Sequence, residues 1–96
     1  MHLAVAKDRE RERDTRPGNW VAAARREAGA RSGAGRAVSQ MRLAVLAGRD
    51  RNTVARWEMA DGEVDYITWV GLLALLDLPL DWEPAAQPIP SRAKRR

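Results

Sequence analysis

Within the stretch VSQMRLAVLAGRDRNTVARWE, residues 38–58, four polar side chains crowd one short segment: Arg51, Asn52, Thr53 and Arg56. Gln40 stands upstream of them. The chemistry these residue types offer is recognition. An arginine guanidinium is a planar fork of donors that fits two acceptors at once, such as a guanine edge or a phosphate. An asparagine amide pairs one donor with one acceptor and suits an adenine edge. Bond-making chemistry has far less to draw on. The chain has no cysteine, and its one histidine is His2. No glycine-rich phosphate loop follows a strand-like run, and no paired carboxylates mark a cleft. The expectation is a non-enzymatic binding protein with no cofactor, no metal and no small-molecule ligand.

Charge is segregated along the chain. Residues 19–56 hold Arg25, Arg26, Arg31, Arg36, Arg42, Arg49, Arg51 and Arg56 against Glu27 and Asp50. Residues 57–82 hold Glu58, Asp61, Glu63, Asp65, Asp77 and Asp81 and no base. One half is therefore near +6 and the other near −6. Such a division suits a basic face for a polyanion, although a merely solvated arginine-rich surface has the same composition. Without cysteine there is no disulfide framework and no cysteine zinc site. The apolar start, Met1–Ala6, is too short for a signal peptide and lacks a basic beginning. The longest apolar run, Trp69–Leu76, falls far below the roughly 18 residues a membrane span needs. The expected setting is the cytoplasm, with no membrane partner.

The elements that must hold the polar cluster are helical. With 96 residues the chain makes one domain. Residues 1–18 read as a charged, flexible arm, residues 19–82 as the folded domain, and residues 83–96 as a basic, proline-rich tail. Asn19 is placed to cap a first helix over Trp20–Ala28, with Gly29 as its stop. Ser39 caps a second helix, Gln40–Ala47, with Met41, Leu43, Ala44 and Ala47 turned inward and Gly48 at its end. Asp50 caps a third, Arg51–Met59, anchored by Val54 and Trp57. Asp65 caps a fourth, Tyr66–Leu76, with Tyr66, Trp69, Leu72, Leu73 and Leu76 on its core side. A last turn begins at Asp81-Trp82 and stops at Pro84. No period of two competes with this reading, so an all-α bundle of four to five helices is expected. The connection between the second and third helices is short enough to force a sharp crossing, with Gly48 at the corner. The start of the third helix then faces outward.

The segment Val38–Leu80 resembles the Cro/C1-type helix-turn-helix family, also called Xre. The resemblance rests on Val38-Ser39-Gln40, Leu43-Ala44, Gly48, Thr53-Val54 and Arg56-Trp57-Glu58, in register without a gap. Val21-Ala22-Ala23-Ala24-Arg25 resembles the first helix of that family, and Leu78-Pro79-Leu80-Asp81-Trp82 its approach to a fifth. The implied fold is the lambda repressor-like DNA-binding domain. The implied function is a sequence-specific regulator of transcription, expected to be a repressor that binds double-stranded DNA at a palindromic operator as a homodimer. The implied base contacts are Gln40, Arg51, Asn52 and Arg56. Ser39, Arg42, Thr53, Arg49 and Arg36 are the expected phosphate contacts, with Arg31 as a further candidate. Glu58 falls where the family often uses a carboxylate structurally. The chain departs from the family pattern in the longer "ARSGAGRA" connection at 30–37, in the acidic turn Ala60-Asp61-Gly62-Glu63, and in Arg49, which replaces an apolar turn residue. Ile67, Val70 and Leu75, with Leu78, Leu80 and Trp82, are the expected dimer surface. The competing expectation is a protein-interaction adaptor or antitoxin-like module, in which DNA binding is secondary.

Overall fold

The computed structural model describes residues 14–84. The expected arm before residue 14 and the tail from residue 85 onward lie outside the described residues. In chain order the elements are β1 (Thr15–Pro17), α1 (Asn19–Ser32), α2 (Gln40–Ala47), α3 (Arg51–Trp57), β2 (Glu63–Asp65) and α4 (Tyr66–Leu75). The expected four helices are present and the described structure is mostly helical; a small two-stranded antiparallel sheet, which the all-α expectation lacked, packs with them.

Three of the four helices begin where a side-chain cap is encoded. Ser39 Oγ accepts the Arg42 N–H at 2.9 Å. Asp50 Oδ1 accepts the Thr53 N–H at 2.8 Å, and Asp65 Oδ1 accepts that of Thr68 at 3.2 Å. Each satisfies one N–H that the first helical turn leaves without a backbone partner. The turn after α2 depends on Gly48 at φ 68°, a left-handed conformation that costs a residue with a Cβ roughly 1–2 kcal/mol. Its N–H reaches Val45 O, and that of Arg49 reaches Ala44 O at 2.9 Å, which brings α3 sharply round.

The first helix differs from expectation at both ends. Asn19 is its first residue and not its cap; Gly18 holds the cap position and makes no side-chain bond there. Gly18 donates its N–H to Gly62 O at 2.8 Å. At the other end the helix runs straight through Gly29 to Ser32 and stops at Gly33, which takes φ 77°. Gly29 is therefore a helix-interior residue. It is glycine because the returning loop lies against it: a Cβ there would stand 1.9 Å from Arg36 O. Ala30–Ser32 belong to α1, so the connection to α2 is shorter than "ARSGAGRA" suggests.

The core gathers Val21, Ala24 and Ala28 of α1, Leu43 and Ala44 of α2, Val54 of α3, Val64 of β2, and Trp69, Leu72, Leu73, Leu76 and Leu78 from α4 onward. Trp69 is its largest member, 2% exposed. The Trp20 ring meets Trp69 edge-on at 5.6 Å, and Trp82 lies against the same ring at 6.2 Å. In a chain without phenylalanine, tryptophan supplies the aromatic bulk of the interior.

Several expected inward positions prove to be peripheral. Trp57 is only half-buried. Gly18 and Gly62 both close on its carbonyl. Met41 is exposed, since α2 turns only Leu43 and Ala44 fully inward. Tyr66 is exposed too, and its ring meets the Arg16 guanidinium at 4.7 Å.

The sheet arises where the sequence shows no strand pattern. Thr15 pairs with Asp65, Arg16 with Val64 and Pro17 with Glu63, antiparallel. The Tyr66 N–H also bonds Asp14 O at 3.0 Å. Both strands are three residues long, and only Val64 is buried, so no alternation can be read from them. Pro17 is tolerated because the strand lies at an edge.

After α4 the chain turns inward, and no fifth helix follows among the described residues. Asp77 adopts φ 61°, the Leu78 N–H reaches Leu73 O at 2.9 Å, and the Asp77 N–H reaches Ala74 O at 3.1 Å. This is the left-handed stop in which the residue after the turn packs back on the helix. Leu78 is accordingly buried, and Trp82 leans on Trp69. Neither belongs to the free apolar surface expected of residues 78–82.

Gly29 separates two opposing effects. Helix propensity favours alanine at an interior position by about 0.8–1 kcal/mol. The backbone contact with Arg36 opposes it, and overpacking costs about 1–3 kcal/mol. Gly29→Ala is expected to lower the stability measured by urea unfolding. A gain would mean that the loop does not press on the helix there.

Candidate functional site

The site is built outward from a carboxylate. Glu58 follows the last residue of α3, and Arg25 projects from the middle of α1. Arg25 Nη2 and Nε donate to Glu58 Oε1 and Oε2 at 2.7 and 2.8 Å, and Nη1 donates to Val38 O at 2.9 Å. The two side chains are 14% and 9% exposed. A two-pronged pair of this kind fixes direction as well as distance. It ties α1 to the end of α3 and, through Val38, to the approach to α2. The Val38 N–H returns to Arg25 O at 3.0 Å, so the loop is clamped twice.

From Glu58 the hydrogen bonds lead to the surface. Gln40 Nε2 donates to Glu58 Oε1 at 2.9 Å. Gln40 Oε1 in turn accepts Arg51 Nη1 at 3.2 Å. The series thus runs from a nearly buried ion pair, through the half-buried amide at the start of α2, to the exposed guanidinium at the start of α3. Gln40, Arg51 and Glu58, which lie far apart in sequence, form one continuous polar line.

Around that line, Arg51, Asn52 and Arg56 are exposed on α3. Arg56 Nη2 stands 3.5 Å from Thr53 Oγ1, and it pairs with no acid among the described residues. Thr53 is half-buried, and its hydroxyl donates to Asp50 Oδ1 at 2.9 Å. These bonds, with the nearby Arg56 charge, hold the Asp50 carboxyl below its ordinary pKa; the backbone N–H of Thr53 contributes most. The Ser39 hydroxyl is likewise engaged as a cap. Arg42 and Arg49 are exposed on α2 and its turn, and Arg36 is exposed on the loop before it. Arg31 is drawn into an ion pair with Glu27 at 2.7 Å. The structure therefore brings Gln40 and Arg51 into direct contact. Asn52 and Arg56 share their helix, and Arg36, Arg42 and Arg49 are exposed without an ion-pair partner among the described residues.

Sequence reasoning assigned no role to Arg25. Its partner lies 33 residues away, beyond any helical spacing. The available signal was an arginine set directly after the buried Ala24, close enough to the core to require a countercharge. Among the described residues no cluster of histidine, cysteine, aspartate or glutamate is arranged to hold a metal ion. No helix among them is long and apolar enough to cross a membrane. Comparison with protein-family models, with known proteins and with solved structures finds no match.

Removing one member of a nearly buried pair leaves the other uncompensated, at a cost of about 3–5 kcal/mol. Glu58→Ala should lose that much in chemical unfolding; a loss below about 1 kcal/mol, the range of exposed pairs, would remove the pair from its central place. Asp50 makes a separate prediction through pH. A carboxyl with a lowered folded pKa contributes stability above the ordinary carboxylate range and loses it as pH falls through the folded value. The stability of the wild type relative to Asp50→Asn should therefore decline as pH drops from about 5 towards 2. A difference that is flat with pH would contradict the assigned cap.

Proposed function

We propose that the protein is a sequence-specific double-stranded DNA-binding regulator, acting as a repressor, with α2, the Gly48 turn and α3 serving as a helix-turn-helix of the lambda repressor-like kind. The observation that carries this reading is the polar line from Glu58 through Gln40 to Arg51. A guanidinium held by a fixed amide loses less conformational freedom when it meets a base edge. Asn52 and Arg56 stand beside it with the donor and acceptor types that base edges require. Arg36, Arg42 and Arg49 flank α3 as phosphate contacts. Ser39 and Thr53, with their hydroxyls already engaged, would meet phosphate through backbone N–H groups or as secondary acceptors. The operator is palindromic and is read by two copies, because one such unit reaches too few base pairs for useful specificity.

A second reading, a protein-interaction adaptor, is favoured by Met41 and Val45, which are more than half exposed on α2, and by the exposed acids Asp61 and Glu63. The two readings part on salt. A DNA regulator loses orders of magnitude of affinity between low and moderate salt as phosphate contacts release counterions; an adaptor shows no such duplex binding.

Selection from a random duplex pool tests the leading reading. The protein should enrich one motif with two-fold symmetry. Arg51→Ala should then cost about 1–3 kcal/mol and relax a single base position, while Arg42→Ala should weaken all duplexes alike. A pool that emerges without enrichment overturns the assignment.

A further inference from the structure

One groove of the molecule shares no residue with the polar line. It lies along α1, has a volume of about 990 Å³, and is lined by that helix together with the segment Trp82–Pro84. Ala22, Ala23 and Ala30 give it small side chains at helical spacing with Arg26 and Glu27, so these five share one face of α1. The half-buried indoles of Trp20 and Trp82 supply its aromatic surface. Glu27 is already matched by Arg31 at 2.7 Å. Arg26 is exposed and has no ion-pair partner among the described residues. Pro84, the last described residue, is itself part of the lining. The chain therefore continues from within the groove.

The residues that follow Pro84 have the composition such a groove accepts. Residues 85–90 read AAQPIP and carry no charge; the next charged residue is Arg92. Pro88 and Pro90 fix their own φ near the polyproline II value, and Gln87 and Ile89, each before a proline, favour extended backbone. Polyproline II has no internal hydrogen bonds, so its carbonyls are open to outside donors. Proline-rich segments of this kind dock into aromatic-lined grooves, with little ordering entropy to lose. We propose that residues 85–90 bind in the α1 groove of their own chain, with Ile89 and the flanking prolines against the indoles of Trp20 and Trp82 and a backbone carbonyl accepting from Arg26. The lengths agree. From Asn19 to Ala30, the two ends of the lining on α1, the helix advances about 17 Å. Six residues of polyproline II cover about 19 Å. Tethering selects the chain's own segment over a foreign peptide. A segment that starts in the groove meets it at an effective concentration of about millimolar, so a weak contact is still populated. An uncharged segment also buries no ion against the alanines and indoles.

Nuclear magnetic resonance of the whole chain tests this, because its four tryptophans each give an indole N–H signal. In the wild type, the Ile89 methyl protons should show through-space contacts to the indole of Trp20 or Trp82. In a mixture of differently labelled chains, those contacts should stay within one chain. Ile89→Asp changes no residue of the core, so the domain still folds, and a charged side chain replaces the apolar anchor. It should abolish the contacts and shift the Trp20 and Trp82 indole signals. The signal of Trp57, which does not line the groove, should stay in place. A wild type in which no proton of residues 85–90 approaches either indole overturns the proposal. So does an Ile89→Asp chain whose Trp20 and Trp82 signals coincide with those of the wild type. Contacts found only between differently labelled chains overturn it as well, and give the groove to the segment of a second copy. No duplex enters the measurement, so its outcome is independent of the DNA-binding reading.

Discussion

Withdrawing a guanidinium and a carboxylate from water costs several kcal/mol per ion, and the attraction between them offsets it only with good geometry and further hydrogen bonds. Arg25 and Glu58 meet that condition. Arg25 places three donors on acceptors: both oxygens of Glu58 and the carbonyl of Val38. Glu58 spends its remaining capacity on Gln40. Four parts of the chain converge on one pair: the middle of α1, the loop before α2, the start of α2 and the end of α3. If the pair moves, each of these moves with it.

That convergence matters most for α3. A helix of seven residues has no stability of its own in water. It is held by a cap at one end, Asp50, by Val54 in the core, and by Glu58 at the other end. Of its outward residues only Arg51 is tied to another helix, through its hydrogen bond to Gln40. Asn52 and Arg56 are exposed, while the inward and terminal residues determine where they point. Gln40, on α2, touches both Glu58 and the exposed Arg51 guanidinium.

The remainder of the fold is a small core closed by close backbone approaches. Gly18 and Gly62 crowd the Trp57 carbonyl, and Gly29 receives the loop at Arg36. Trp69, with Trp20 and Trp82 on either side, fills the volume that smaller side chains would leave empty. The two-stranded sheet fastens Thr15–Pro17 to the turn between α3 and α4. This attaches the segment before α1 to the acidic half of the chain.

Much of this was written in local signals. Ser39, Asp50 and Asp65 announced three helix starts, because a cap acts on N–H groups only two or three residues ahead. Gly48 announced the turn, and the helical spacing of Leu43, Ala44, Val54, Trp69, Leu72 and Leu73 announced the buried faces. These are short-range effects, and a sequence displays short-range effects directly. The tertiary structure alone decided the rest. Gly29 resembles a helix stop until the loop that presses on it is in place. Trp57 has the composition of a core residue, yet it is only half-buried and packs against the core from its margin. Residues 15–17 become a strand only because residues 63–65 return to meet them. The line from Arg25 to Arg51 spans separations of 33, 18 and 11 residues. No periodicity encodes such distances; they exist only once packing has brought the helices together.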